Sequence, residues 1–320
     1  MDMPSELDTI RQNLTLEVAP TSAADLMSAW LAGRKPTTMA AYRKDLEAFT
    51  GWLGLDDDQA ALQHLMGHGN GHANMTAHNW RASMLDAGLT PATVNRRLSA
   101  LRSVVKMANR VGMVEWTLSV EGVKSTPYRD TRGPGVATIR EMLAACNRKT
   151  EKGRRDYALL RLMFDRGLRR GEVIGLDLVH VDLDAATVEV QAKGKLERDR
   201  LTVNAATVEA LQAVIDDATD DQTALFVSLH RSGTRGRLTG RDVHRVVDRL
   251  GTAAGAPGVR PHGLRHSAVT AVLDATNGNV REARAFSRHA KLETVALYDD
   301  ARNDVGGELS TRLGDLIGTV

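Results

Sequence analysis

Apolar side chains recur at helical spacing over much of the chain. Leu26, Trp30 and Leu31 predict a first helix, and Tyr42, Leu46, Phe49 and Leu53 predict a second that starts near Thr38. The Lys-Pro-Thr-Thr step between them breaks the pattern and supplies an N-cap. "TAHNWRASMLDAGL" and "TPATVNRRLSALRSVVKMANRVGM" predict two further helices. Thr90 caps the latter, Pro91 takes its first position, and Val94, Leu98, Leu101 and Val105 form its apolar stripe. Nothing over these residues alternates with a period of two, so an all-helical unit is expected.

The pattern changes at residues 121–137, which hold three glycines and two prolines and lack apolar periodicity. This marks a linker, and a second, mostly helical unit follows it. Within that unit, residues 186–203 alternate apolar and polar positions on both sides of a Lys-Gly-Lys turn, the signature of a β-hairpin. The final stretch places Val305, Leu309, Leu313, Leu316 and Ile317 on one helical stripe, which must be buried against its own domain or a neighbour.

A length of 320 residues suits two domains. The hydrophobic fraction of 42% supports an ordinary core, built from aliphatic residues because aromatics make up only 4%. No apolar run is long enough to span a membrane, and the polar, acidic N-terminus resembles no targeting peptide. Cys146 is the single cysteine, so no intrachain disulfide can form and a reducing cytoplasm is the expected setting. The net charge of +2 conceals local asymmetry: residues 81–110 carry six basic side chains against one acidic, and residues 154–170 six against two. Such patches suit an anionic partner such as DNA, although a solvated helix face would look the same.

Two histidine-bearing segments invite a metal reading. His64, His68, His72 and His78 lie in a tract rich in glycine and asparagine, which reads as a flexible loop; no metal site is expected there. In "RPHGLRH", residues 260–266, His262 and His266 are four apart and share a helix face, as metal ligands often do, while His262 and Arg265 are three apart and could reach one anion together.

The anion reading gains from three more segments. Arg169 follows Gly167-Leu168, Lys193 and Lys195 occupy the hairpin turn, and His289 precedes Tyr298 by nine residues. Two guanidiniums give fixed, permanently charged donors for phosphate oxygens. A phenol with a pKa near 10 needs a base and nearby positive charge to act as a nucleophile. An amine or imidazole is then required to protonate the leaving oxygen.

In this order and spacing, residues 135–300 resemble the catalytic domain of the tyrosine recombinases, the phage integrase and Xer-type family. Residues 21–124 resemble the family's helical core-binding domain. The resemblance implies a mainly α fold: a flexible stretch 1–20, a core-binding domain 21–124, a linker 125–136, a mostly helical catalytic domain 137–303 with a small β-sheet or hairpin, and an oligomerisation helix 304–320, together forming a C-shaped clamp on DNA. It implies that Tyr298 attacks the scissile phosphate to give a 3′-phosphotyrosyl link, that Arg169 and Arg265 clamp the nonbridging oxygens, and that His262 serves as base. Lys193, or alternatively Lys195, would be the general acid, and His289 would add a hydrogen bond to the phosphate. His266 would pack nearby in support. Exchange would proceed through a Holliday junction in a tetramer on two double-stranded DNA sites, without metal, ATP or other cofactor, and with accessory proteins or a second recombinase as possible partners.

Lys44, Arg96, Arg97 and Arg102 are the candidate DNA contacts of the first domain. The alternatives on the same scaffold are type IB topoisomerase-like relaxation and a DNA-binding regulator. The chain departs from the family in two places. Ser287-Arg288 stands where Leu-Gly is frequent, and Asp299 and Asp300 directly follow Tyr298, where like charge opposes tyrosinate formation.

Overall fold

The computed structural model describes residues 22–124, 133–192, 197–229, 235–289, 291–299, 310 and 315, the side chains of 297–299 excepted. The chain divides into two compact units, Met1–Pro127 and Tyr128–Val320.

The first unit is a bundle of helices α1 (Ala23–Leu31), α2 (Pro36–Leu53), α3 (Asp58–Met66), α4 (Gly69–Asp86) and α5 (Pro91–Arg110). Helix α5 is central and packs against α1, α2 and α4. Its stripe of Val94, Leu98, Leu101 and Val105 is wholly buried, and Thr90 Oγ1 accepts the Thr93 N–H at its start. Trp30 stacks on Tyr42 with ring centroids 5.0 Å apart and donates through Nε1 to Ser103 Oγ, so two of the few aromatics tie α1 and α2 to α5. Helix α2 begins at Pro36, two residues before the expected start, because proline's fixed φ suits the first helical position.

One sequence expectation is overturned. The histidine tract is no loop: α3 runs through His64, and α4 begins at Gly69 and contains His72 and His78. Helix α4 is anchored by Ala73, Ala77, Trp80 and Met84, whose burial outweighs the poor helix propensity of Gly69-Asn70-Gly71.

The second unit contains α6 (Gly135–Ala144), α7 (Glu151–Asp165), α8 (Arg170–Ile174), strands β1 (Val181–Asp182), β2 (Thr187–Gln191) and β3 (Arg198–Thr202), then α9 (Ala205–Ile215), α10 (Gly240–Ala253), α11 (Pro261–Ala275), α12 (Val280–Ser287) and α13 (Leu292–Asp299). Helix α7 buries Leu159, Leu162 and Met163 at the centre and packs against α9 and α11. The sheet is antiparallel in the order β1-β2-β3, with Val188 opposite Leu201 and both facing the core. The hairpin is therefore where alternation placed it; β1, with only two residues, carries too little pattern to be read. The hairpin tip, including Lys193 and Lys195, lies outside the described residues, as do residues 300–309 and all five residues of the final stripe. Among the described residues no helix is long and apolar enough to cross a membrane.

Candidate active site

Helix α7 ends at Asp165, and the chain turns at Gly167, whose φ of 57° is left-handed; a Cβ there would also lie 3.0 Å from the Phe286 ring. The turn buries Leu168 and delivers Arg169 as the N-cap of α8. Glu172, buried on α8, accepts the Arg169 backbone N–H at 2.8 Å and its Nη1 at 2.9 Å. One carboxylate thus caps the helix and aims the guanidinium. The same carboxylate accepts from Arg288 Nη2 at 2.7 Å.

Helix α11 starts at Pro261 and places His262 and Arg265 on one face. Arg265 is 1% exposed, and its guanidinium donates to the backbone carbonyls of Gly167 and Ser287. Those two bonds join the turn after α7 to the end of α12 and lock the guanidinium plane. His266 is buried and meets the His262 ring edge-on at 4.5 Å, which is the supporting place expected of it.

Arg169, Arg170, His244, Arg260, His262 and Arg265 line one open cleft of about 420 Å³. Among the described residues none of its lining side chains is a carboxylate. His289 stands behind this wall: Arg265 Nη2 approaches its Nε2 at 3.4 Å, and its Nδ1 lies 2.8 Å from Ser287 Oγ. With Nε2 accepting, Nδ1 carries the hydrogen and donates to Ser287.

The three imidazoles are held neutral. Desolvation first, then Arg265 and Arg169, lowers the pKa of His262. His289 is pushed down to about 4 by desolvation and by Arg265, Arg169 and His262. His266 also falls to about 4, through desolvation and then His262, His289 and Arg265. A neutral imidazole beside two guanidiniums can take up a proton, and an anion entering the cleft would strengthen its basicity.

Tyr298 falls in the last turn of α13, with its side chain outside the described residues; α13 packs on α11 and α12 and buries Val295. Lys193 is likewise outside the description. Sequence reasoning passed over Arg170, His244 and Arg260 as cleft residues, and Glu172 and Arg288 as the supports of Arg169. Arg260 stood in the quoted "RPHGLRH", and Arg288 stood out as a departure from the family pattern, whereas nothing in the sequence marked His244 or Glu172.

In the first unit Lys44 is exposed on α2, and Arg97 is half-buried on α5. Arg96 pairs with the buried carboxylate of Asp45, whose pKa desolvation raises against the pull of Arg96. Arg102 donates from Nε at 3.2 Å and Nη2 at 2.5 Å to the Val120 carbonyl, a structural use the sequence did not reveal. Cys146 is buried, its thiol pushed up to about 12 by desolvation and then Asp156, so it is unreactive.

Residues 136–304 match the phage integrase family, and residues 31–112 match the family's N-terminal SAM-like domain. A tyrosine recombinase of Synechococcus elongatus is 38% identical over 310 residues, covering 94% of this chain and 96% of the relative. The XerC tyrosine recombinase of Corynebacterium glutamicum is 28% identical, covering 94% and 90%. In fold, the chain is similar to the XerH site-specific recombinase bound to a palindromic difH substrate, with a TM-score of 0.65 at 15% identity over 96% of this chain and 89% of that one. It is also similar to a lambda integrase dimer bound to a core site, with a TM-score of 0.61 at 14% identity over 94% and 82%.

Proposed function

The chain belongs to the phage integrase family, the tyrosine recombinases, and we propose that this site-specific recombinase holds the scissile phosphate of duplex DNA in the arginine-walled cleft. The observation that carries the assignment is the meeting of Arg169, His262 and Arg265 on one cleft wall, although they come from two segments 93 to 96 positions apart in sequence number. Arg169 and Arg265 bind the nonbridging oxygens and stabilise the extra charge of the pentacoordinate transition state. Tyr298 Oη forms a bond to phosphorus as the bond to the 5′-oxygen breaks, and its proton passes to His262 Nδ1 or Nε2. Lys193 on the hairpin tip protonates the departing 5′-oxygen. His289 positions Arg265 from behind through Nε2, and it donates to the phosphate only after Nε2 gives up that contact and takes a proton.

The 3′-phosphotyrosyl link conserves the phosphodiester's energy, so a partner strand's 5′-hydroxyl reverses the attack without ATP and passes through a Holliday junction. Four protomers on two DNA sites, joined by the C-terminal helix 304–320, perform the exchange in the cytoplasm, where the DNA is. Lys44 and Arg97 contact the DNA backbone from the first unit, with Arg96 sharing itself between Asp45 and phosphate and Arg102 shaping the segment around Val120. The relatives' names, all of them recombinases, favour this reading over relaxation or idle binding.

Covalent trapping on nicked suicide duplexes tests the assignment. The wild type is expected to leave an SDS-resistant protein–DNA adduct and Tyr298→Phe none. An adduct that persists in Tyr298→Phe would remove Tyr298 from the reaction.

A further inference from the structure

The corner between α3 and α4 gathers three imidazoles that recombination does not use. His64 lies in the last turn of α3, His68 is the N-cap of α4, and His72 lies in the first turns of α4. One nitrogen from each ring lies within 4.8 Å of the other two. His64 Nε2 and His72 Nε2 are 3.3 Å apart. Two nitrogens bound tetrahedrally to zinc at about 2.0–2.1 Å must lie about 3.3–3.4 Å from one another. The observed pair therefore already spans one edge of such a tetrahedron. A hydrogen bond between two neutral rings accounts for the pair less well, because 3.3 Å is long for an N–H donor, and the third ring has only a long 3.4 Å contact from its Nδ1 to the His64 carbonyl oxygen.

The backbone is built for this corner. A Cβ on Gly67 would lie 2.8 Å from the Gln63 carbonyl oxygen, so only glycine lets α3 close tightly before α4 begins. Helix α4 then starts with no side-chain cap, through Gly69, Asn70 and Gly71, which are weak helix formers. A bond joining the end of α3 to the start of α4 would supply what local propensity does not.

We infer that His64, His68 and His72 bind one borderline divalent transition metal, Zn²⁺ above all, as a three-nitrogen site with water completing the shell, and that the metal clips α3 to α4. Imidazole ligands select this class of ion over magnesium and calcium. A ligand imidazole must be neutral, so protons compete with the metal for the site. The clip also steadies Asn74, whose Oδ1 accepts the Ser119 N–H at 2.7 Å and so fixes the segment after α5.

Zinc titration of the full chain against a chromophoric chelator tests the site. One equivalent is expected to bind, with a rise in Tm of at least about 3 °C. Substitution of both helix-borne ligands, His64→Gln with His72→Gln, should abolish binding and the Tm shift. Should that pair impair folding, His68→Gln changes an exposed ring that makes no cap bond and should weaken binding at least about tenfold. X-ray absorption of the zinc-loaded wild type should show a shell of three imidazole nitrogens at about 2.0–2.1 Å. No binding, binding unchanged in the substituted chains, or half an equivalent with dimerisation would each overturn the inference; the second outcome would move the metal to the histidines of the catalytic unit.

Discussion

His262, His266 and His289 share a small volume with two guanidiniums, and that neighbourhood sets their protonation before any DNA arrives. Each has a pKa below the ordinary value near 6.5, His266 and His289 at about 4. For a base, the lowered pKa extends the range in which it is competent toward acid. The cleavage kcat/KM, which reports the free enzyme, should therefore hold as pH falls through 6.5 and decline only below it; an acid limb centred above 6.5 would show that His262 is not the base. The same shifts act on stability with a definite sign. Between about 4 and 6.5 the unfolded chain takes up protons at these histidines and the folded chain does not, so stability is full above that window and is lost as pH falls through it. Tm measured across the window should drop, and His266→Gln should flatten the decline. At this scale the cationic set was legible because its chemistry needs rare residue types in a fixed order. Glu172 was not, because a buried carboxylate that aims an arginine looks in sequence like any helix-capping glutamate.

At the scale of elements, the junction between α12 and α13 explains the departure at Arg288. This residue ends α12 in the left-handed conformation, φ 55° and ψ 38°, where glycine would sit without strain. A side chain there costs about 1 kcal/mol, and its return is the bond to Glu172, which also holds Arg169. The two effects can be separated. Arg288→Ala loses the bond and keeps the strain, whereas Arg288→Gly loses the bond and relieves it, so the glycine variant should be the more stable by about 0.5–1 kcal/mol in chemical unfolding. Both should slow strand cleavage alike, by about tenfold or more, because Glu172, without the Arg288 donor, no longer holds the Arg169 guanidinium in one orientation. If the glycine variant cleaves as fast as wild type, Arg288 does not position Arg169. Elements with strong local signals, such as α5 with Thr90, Pro91 and its stripe, were fully readable. The start of α4 was not, since glycine and asparagine argued for a loop and only the burial of Ala73, Ala77 and Trp80 reverses that argument.

For the whole molecule, a net charge of +2 is uninformative until it is placed: four arginines and two histidines converge on one cleft, while many other cations are paired with carboxylates such as Asp45, Asp156 and Asp217. DNA affinity should accordingly fall with salt, but by a slope that reflects a limited number of phosphates. The apolar stripe of Val305, Leu309, Leu313, Leu316 and Ile317 belongs to this scale as well. A helix that caps its own domain contributes to that domain's stability, whereas a helix exchanged with a neighbouring protomer contributes to assembly. Deletion of residues 304–320 distinguishes the two. The exchanged helix predicts that recombination is abolished, that gel shifts on a single site keep their affinity, and that Tm of the free protein moves by no more than about 2 °C, because the catalytic core is built from α7, α9, α10 and α11. A Tm loss of about 5 °C or more with weakened single-site binding would instead make the helix an intramolecular cap. Since the deletion begins six residues after Tyr298, a suicide-substrate adduct retained by the shortened chain would show that the nucleophile is intact and that the lost step is the meeting of protomers.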